Sequence, residues 1–387
     1  MQKMTRSVRA LTLAGLVFLV VAAGSAAPAR ASQTSGTWTR TGSMTTPREG
    51  QTAVLMHNGQ VLLMGGSDGN TALSSAELYN PATGKFTATG DMGAARTKFN
   101  ATALPNGEAL ITGGEIAGSA TSSAELFNPA TGTFSPTGSM TTPREFGTAT
   151  LLQNGQVLVA GGDNSSGTLQ SAELFNPATG TFSPTGSMNV PRDSQTATLL
   201  QNGQVLMAGG PPGTLPGGST ELYDPTTGTF TNTGSMAFPH YGPVAGLLPD
   251  GRVVSVCNIS DPGVNPCGAE LYNPASGTWS DDGIADSTAQ GGYTRTMIDK
   301  GQVLISGGAS QFGGDKHLRT VVSSEASLFD PATGNATFTG SMTIPRDGHT
   351  LTLLPNGQVL AAGGYTQSNS QVNPKISVTA SAELFTP

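Results

Sequence analysis

The stretch SAELFNPATGTFSPTGSM, from Ser171 to Met188, decides how this chain is organised, because close copies of it recur along most of the 387 residues. The part ELFNPATGTFSPTGSM occurs unchanged from Glu125 to Met140. A fixed period near 50 residues predicts an array in which one supersecondary unit is repeated. The methionine that ends the stretch recurs in steps of 48 residues, at Met44, Met92, Met140, Met188 and Met236.

Each repeat contains four short segments, apolar or alternating, that are separated by turn residues. The first full repeat runs from Pro47 to Met92, with one turn at Asn58-Gly59 and another at residues 80–84, NPATG. Such segments predict antiparallel strands, labelled a, b, c and d in chain order. Asn-Gly favours a two-residue hairpin between strands a and b, because both residues accept a positive φ.

The number of segments predicts a closed ring of seven sheets. A lone strand d around Trp38 comes first, six complete abcd repeats follow, and the chain ends after a strand c that contains Phe385. Four-stranded sheets repeated radially form a β-propeller, so the first strand is expected to complete the last sheet. That pairing would also cover an exposed strand edge. The expected fold is all-β, with residues 32–387 as one domain of seven blades.

The repeat resembles the kelch motif. A glycine pair ends strand b in six repeats, E-L-[YF]-[ND]-P or a variant follows, and G-x-[WF] and Pro-Arg or a variant close the repeat. The resemblance covers nearly all of the chain after residue 31. It implies a kelch-type propeller in which the strands a line a central channel. Kelch-type propellers include galactose-oxidase-like enzymes and a bacterial sialate mutarotase, so the resemblance does not fix a function.

Residues 1–31 have the pattern of a secretory signal peptide. Three basic residues precede an uncharged apolar run from Ala10 to Ala23, and an A-x-A cleavage site lies at residues 29–31. The run is too short for a comfortable membrane span, so we expect a secreted or periplasmic protein. Removal of this segment leaves 14 basic and 25 acidic residues, a net charge of −11. This charge argues against nucleic acid as a partner.

The chain has two cysteines, Cys257 and Cys267, which bracket a nine-residue loop. In an exported chain they can oxidise, and their spacing favours a local disulfide. Two free thiols, or one thiol used in a cofactor, are the alternatives.

Side chains that recur in nearly every repeat are expected to hold the blades together. A glutamate before Leu recurs in six repeats, and only the sixth repeat has a serine, Ser327, in its place. This glutamate is expected to accept hydrogen bonds from a neighbouring blade. An aromatic residue fills one slot in strand d, where packing between neighbouring sheets is its expected role. We assign to this slot Trp38, Phe86, Phe134, Phe182, Phe230, Trp279 and Phe338.

An arginine opens strand a in five repeats, at a position that the kelch resemblance places near one mouth of the channel. Two interpretations are open. Each arginine pairs with the neighbouring Glu49, Glu145, Asp193 or Asp347 or with backbone carbonyls, or some arginines contact a carboxylate or sugar of a ligand. The predicted ligand site includes Arg48, Arg96, Arg144, Arg192 and Arg346.

The repeat breaks in blades five to seven, and these breaks give further site candidates. His240 and Tyr241 replace the arginine and its neighbour in blade five, Tyr293 and Arg295 lie on strand a of blade six, and His349 lies on strand a of blade seven. We expect these residues to cluster on one side of the mouth. The b–c loops of blades five and six, which depart from the repeat, should lie over the same side.

Two tyrosines and two histidines invite comparison with the copper site of galactose-oxidase-like enzymes. That site uses a Tyr-His pair, a second His, and a Tyr cross-linked to Cys. In this chain the pair has the reverse order, His240-Tyr241, and a Cys257–Cys267 disulfide would consume the thiol. Imidazole and phenolate could bind copper, but the match is partial and no cofactor or metal is expected.

The sequence favours a monomeric binding module without catalytic activity, which recognises a protein or glycan through the face built by the d–a and b–c loops. Arginine would contact anions or hydroxyl groups, and tyrosine would stack and hydrogen-bond. One alternative is an enzyme, either the copper oxidase or a mutarotase-like protein with an acid–base pair drawn from Glu49, Glu145 and Asp193. Another is a structural or surface-display protein, because near-identical copies suggest recent duplication.

Overall fold

A computed structural model describes residues 36–210, 218–237, 242, 244–256, 268–284, 293–312, 319–367 and 375–387. Within them the chain forms seven four-stranded antiparallel sheets, each in the order a-b-c-d. Strand a of every blade contacts strand a of the blades on both sides, so these seven strands enclose a central channel. The prediction of an all-β, seven-bladed propeller is confirmed.

The first four blades are regular, and each consists of strands a, b, c and d in that order along the chain. Blade one has Thr52–Leu55, Val61–Met64, Ala76–Asn80 and Lys85–Ala88. Blade two has Asn100–Ala103, Ala109–Thr112, Ala124–Asn128 and Thr133–Pro136. Blade three has Thr148–Leu151, Val157–Ala160, Ala172–Asn176 and Thr181–Pro184. Blade four has Thr196–Leu199, Val205–Ala208, Thr220–Asp224 and Thr229–Asn232.

The last three blades vary more in strand length and connection. Blade five has Val244–Leu247, Val253–Val256, Gly268–Asn273 and Thr278–Ile284. Blade six has Thr294–Met297, Val303–Ser306, Ala326–Asp330 and Asn335–Phe338, with a 3-10 turn at Asp299–Gly301. Blade seven has Thr350–Leu353, Val359–Ala362, Ala382–Thr386 and, as strand d, Thr37–Arg40. No helix among the described residues has the length and apolarity to span a bilayer.

Two-stranded ribbons project from several b–c connections on one face of the ring. Blade two has Glu115–Ile116 paired with Ser119–Ala120, and blade three has Asp163–Asn164 paired with Gly167–Thr168. Blade six has Ala309–Phe312 paired with Arg319–Val322, and blade seven has Tyr365–Gln367 paired with Ile376–Val378. The face that carries them is the one at which strands a begin, because strands a and b are antiparallel.

The first strand of the chain closes the ring. Thr37–Arg40 pairs with Ala382–Thr386, and Trp38 lies opposite Phe385 with ring centroids 5.1 Å apart. The predicted closure is confirmed, and the outer edge of strand c in blade seven is covered.

The a–b turns differ from the predicted two-residue hairpins. In blade one, the N–H of Gly59 donates to the carbonyl oxygen of Met56, and the N–H of Met56 donates to the carbonyl oxygen of Gln60. Gly59 has φ of 81°, whereas Asn58 keeps a negative φ. The connection is therefore a type I turn followed by a left-handed glycine, and it has three residues. Asn58 stabilises it by accepting a hydrogen bond from the N–H of Gln60 at 3.0 Å.

The hydrophobic core lies between the blades. Alternate side chains of a strand point to opposite faces of its sheet, so each blade packs against both neighbours. Between blades one and two, for example, Leu62 and Met64 of one strand b meet Ile111 and Phe127 of the next blade. Similar clusters fill all seven seams, which makes the ring one continuous structure.

The aromatic slot of strand d packs into these seams in six blades, as predicted. Phe86, for example, lies 4.8 Å from the ring of Tyr79 on strand c and packs in the seam between blades seven and one. The assignment of Phe338 to the slot is wrong. Ala336 lies opposite Phe329 in blade six, and Phe338 is displaced by two residues, opposite Ser327, with 56% of its surface exposed.

Candidate functional site at the channel mouth

The five arginines at the start of strand a are buried inside their own blades. The Nη1 atom of Arg48 donates to the carbonyls of Gly65 and Ser75 at 3.1 and 2.9 Å, and its Nη2 atom lies 3.3 Å from Glu77 Oε1. The same arrangement recurs in four other blades as Arg96–Glu125, Arg144–Glu173, Arg192–Glu221 and Arg346–Glu383.

Burial makes these arginines structural. None of the five exposes more than 3% of its surface, so the predicted contact with a ligand is not compatible with their position. Backbone carbonyls are partners as expected, but the acidic partner is the glutamate of strand c rather than the residue that follows the arginine. Burial lowers the pKa of the Arg144 guanidinium, and its contact with Glu173 partly offsets this shift.

The recurring glutamate also holds the linker that enters each blade. Glu77 accepts hydrogen bonds from the backbone N–H groups of Thr45 and Thr46, at 2.8 and 3.1 Å. This linker comes from the neighbouring blade, so the predicted role of the glutamates between blades is confirmed. One carboxylate thus binds both the crossing chain and a buried cation.

His349 is buried in the seam between blades six and seven. Its Nε2 atom lies 3.1 Å from Ser306 Oγ, and its Nδ1 atom lies 3.4 Å from Thr294 Oγ1. Burial, together with the nearby charge of Arg346, lowers the pKa of His349 to about 3, so its ring is neutral at physiological pH. Its 4% exposure is incompatible with the predicted role at the mouth surface.

Tyr293 and Arg295 are buried as well, in the seam between blades five and six. Tyr293 packs with Leu248 and Val254 of blade five. The guanidinium carbon of Arg295 lies 5.7 Å from the centre of the Tyr293 ring, and Arg295 exposes 7% of its surface. The predicted contact of these two side chains with a ligand is therefore not supported by their position.

The remaining predicted site residues, His240 and Tyr241, lie outside the described residues, as do Cys257 and Cys267. Of the residues considered for a copper site, the structure describes Tyr293 and His349. Both ring nitrogens of His349 face hydroxyl groups in a buried seam, and Tyr293 lies in an apolar cluster. The described side chains do not fit a copper site.

The mouth of the channel is formed by the residues two positions after the arginine slot, which we call the mouth positions. All those described have a left-handed backbone, with φ between 44° and 64°: Gly50, Lys98, Phe146, Ser194, Gly242 and Gly348. Backbone hydrogen bonds join several of them around the ring, such as Ser194 N to Phe146 O at 2.9 Å and Gly50 N to Gly348 O at 3.1 Å.

Three consecutive blades place a side chain where the other described blades have glycine. We call Lys98, Phe146 and Ser194 the mouth sector. A left-handed backbone costs a residue with a Cβ atom about 1–2 kcal/mol, which glycine avoids. Phe146 is also 41% exposed, which is unusual for a large apolar side chain. Strained residues of this kind are held by the surrounding fold and concentrate at functional sites.

Lys98 is the centre of a contact group in this sector. Its Nζ atom lies 2.5 Å from Glu115 Oε2, 3.5 Å from Glu145 Oε2 and 4.9 Å from the centre of the Phe146 ring. The hydrogen bond from Lys98 lowers the pKa of Glu115. Burial raises the pKa of Glu145, an effect that Lys98 opposes and Glu115 reinforces.

A second polar group lies across the mouth, at the seam of blades seven and one. The hydroxyl of Tyr365 donates to Asp347 Oδ2, and Glu49 lies nearby. Burial raises the pKa of Asp347, and hydrogen bonds from Tyr365 and Gly348 partly offset this. Burial and the neighbouring Asp347 also raise the pKa of Glu49.

The mouth is strongly acidic. Six carboxylate side chains lie beside the mouth positions or at the start of the b–c connections: Glu49, Glu115, Glu145, Asp163, Asp193 and Asp347. Such a ring of like charge concentrates cations near the channel.

The sequence contains the signal for this site, although the candidates above missed it. The mouth position is glycine at Gly50, Gly242, Gly292 and Gly348, so Lys98, Phe146 and Ser194 are visible as departures from the repeat. The partners of Lys98 are not visible, because Glu115 is 17 residues away in the sequence and Glu145 is in the next blade.

Comparison with known proteins agrees with the fold. The Kelch motif matches residues 50–93 and 146–189. No curated protein matches the chain. Among solved structures, the chain is similar to a fungal alcohol oxidase of the AA5 family in complex with copper, with a TM-score of 0.68 and 16% identity. The alignment covers 91% of this chain and 76% of that one. At this identity the likeness concerns the fold alone.

Proposed function

From the premise that this chain is a seven-bladed β-propeller with Kelch motifs, we propose that it is a binding module whose ligand docks on the mouth sector. The observation that carries the proposal is the placement of Lys98, Phe146 and Ser194 at positions where the backbone favours glycine. A purely structural ring gains nothing from an exposed phenylalanine on a strained backbone, whereas a binding surface does.

The chemistry of the mouth favours a segment of another protein as the ligand. The carboxylates attract basic side chains, and Phe146 offers an apolar and aromatic surface beside them. Aromatic anchors surrounded by polar groups are typical of protein interfaces. The carboxylates could also accept hydrogen bonds from the hydroxyl groups of a glycan. Binding experiments with glycans distinguish this ligand from a protein segment.

The export of the chain is part of the same proposal. The charge pattern of residues 1–31 supports a cleaved signal peptide, and residues 32–387 would then act as a monomer in the periplasm or outside the cell. A disulfide between Cys257 and Cys267 would suit that location.

Site-specific cross-linking tests the proposal. A photo-reactive amino acid replaces Ser194 in the exported chain, and the matched control carries it at Phe338, an exposed residue on the outer strand of blade six. We expect one protein partner to cross-link from position 194 and not from position 338. Phe146→Gly, which installs the residue of other blades, should reduce the yield at least about tenfold.

Other outcomes identify the alternatives. Binding on a glycan array that Phe146→Gly abolishes, without a protein cross-link, would make the ligand a glycan. Neither cross-link nor glycan binding would favour a structural or surface-display role and would contradict the proposal. Oxidation of primary alcohols by the copper-loaded chain would instead support the enzyme alternative.

A second candidate function, an acid–base enzyme, has one observation in its favour. The pKa values of Glu49, Glu145 and Asp347 are raised, in each case mainly by burial. A carboxyl with a raised pKa is suited to proton transfer near neutral pH. The test is the rate at which sialic acid anomers interconvert, followed by NMR, with Glu49→Gln and Asp347→Asn as variants. A rate equal to that of the buffer alone would exclude this activity.

A further inference from the structure

We propose that Glu115, Glu145 and Phe146 form a binding site for the ammonium or guanidinium group of a ligand, and that Lys98 fills this site in the unliganded protein. The inference rests on the proposed function, because it names the chemistry by which the mouth sector would recognise a basic protein segment. In this view Lys98 is an internal substitute for the ligand's cation, and binding displaces it.

The geometry around Lys98 is that of an occupied cation site. Two carboxylates from neighbouring blades and one aromatic face converge on its Nζ atom, at 2.5, 3.5 and 4.9 Å. Carboxylates provide charge-assisted hydrogen bonds, and the ring face attracts the cation electrostatically. The occupant is a primary ammonium, so the site is shown to accept that group.

Glu145 fills a slot that is also acidic in other blades, as at Glu49 and Asp193, whereas Glu115 and Phe146 are not shared with blade one. At the positions of Glu115 and Phe146, blade one has Ser67 and Gly50. Lys98 itself stands at a mouth position that is glycine in blades one, five, six and seven. The cation and its aromatic and acidic partners therefore occur together in the one sector where the repeat departs from glycine.

The site is accessible. The side chains of Lys98, Glu115 and Glu145 expose 36%, 26% and 20% of their surface, and Phe146 exposes 41%. An exposed ion pair contributes little to stability, so a ligand can replace the lysine without unfolding the blade. A flexible lysine that swings out leaves the two carboxylates and the ring in place.

Removal of the internal cation tests the inference. Acetyl-pentalysine amide is titrated against three forms of residues 32–387: the wild type, Lys98→Gly and Lys85→Gly. Lys85→Gly is the control, because it loses the same charge on an exposed outer strand. We expect Lys98→Gly to bind the peptide at least about tenfold more tightly than both other proteins. Adding Glu145→Gln should abolish the gain, and the ε-acetylated peptide should not bind.

Three results would overturn the inference. Equal gains for Lys98→Gly and Lys85→Gly would show a general charge effect, and a gain that survives both Glu145→Gln and Phe146→Gly would place the cation elsewhere. Spermidine that binds Lys98→Gly as tightly as the peptide would make the ligand a small polyamine rather than a protein segment. Cross-linking from position 194 is independent of these titrations, so the proposed function and the cation site can fail separately.

Discussion

Blades three and six differ in a way that separates the scaffold of this propeller from its specific features. Blade three buries Arg144 against Glu173, as four other blades bury the equivalent pair. Blade six has Ser327 in place of the glutamate and Gln290 in place of the arginine. Both partners are absent together in blade six, so neither charge is left there without its counterpart. Blade five differs again, because it keeps Glu270 while His240 occupies the arginine slot.

The largest effect should follow from breaking one pair. Arg144→Ala leaves Glu173 buried without its cation, and we expect the free energy of unfolding to fall by about 3–5 kcal/mol. Replacement of both residues, as Arg144→Gln with Glu173→Ser, imitates blade six and should cost clearly less than Arg144→Ala. Urea denaturation of the three proteins measures the difference. If the double variant is the least stable, an uncompensated charge is not the reason that blade six lacks both partners.

The aromatic slot provides the second test of the comparison. Phe230 of blade four exposes 8% of its surface and packs in a seam, whereas Phe338 of blade six is 56% exposed. We expect Phe230→Ala to lower the free energy of unfolding by about 3 kcal/mol, and Phe338→Ala to change it by less than about 0.5 kcal/mol. A large loss for Phe338→Ala in the same denaturation experiment would show that its ring packs within the fold.

His349 joins blade seven to the divergent blade six, and its titration gives a smaller effect that depends on pH. Between pH 6.5 and about 3 the unfolded chain binds a proton at this residue and the folded chain does not. Stability therefore falls as the pH is lowered through this range, by up to about 1.4 kcal/mol per pH unit from this group. At pH 5 the loss should be about 2 kcal/mol.

Glutamine is the matched replacement for His349. Blades one and four have Gln51 and Gln195 in the same slot, where each donates to a carbonyl of the preceding blade, at 2.7 and 2.9 Å. Stability measured from pH 4 to 7 should fall less steeply with acid for His349→Gln than for the wild type. Identical pH profiles would mean that folding does not lower the pKa of His349.

The sequence predicts the fold well because each blade repeats nearly the same pattern of residues. The period, the number of strands and the pairing of Trp38 with Phe385 follow from counting. The sequence-based prediction does not pair Arg144 with Glu173, although every blade that has the arginine also has the glutamate and both positions change in blade six. The burial of the arginines is not predicted for a different reason. A side chain at the start of strand a can point into the blade or towards the channel, and sequence spacing does not distinguish these directions.

The turns and the mouth show where local patterns fail. Asn58-Gly59 suits a two-residue hairpin, but the register of strands a and b leaves room for a third loop residue. Phe338 is the aromatic residue nearest to the slot in blade six, but Ala336 has the correct spacing from the preceding glycine. At the mouth, the contacts of Lys98 join blades two and three, and the packing of these blades brings them together.

The smallest effect extends the comparison from the seams to the mouth. Ser194 has φ of 51°, which costs a residue with a side chain about 1–2 kcal/mol, and glycine loses about 0.5–1 kcal/mol in chain entropy. Ser194→Gly should therefore raise the free energy of unfolding by about 0.5 kcal/mol. Lys98→Gly gains the same relief but loses its contacts with Glu115 and Glu145, so its net change should be smaller. Denaturation midpoints measured side by side decide the order, and a Ser194→Gly protein less stable than the wild type would show that the serine side chain itself supports the ring.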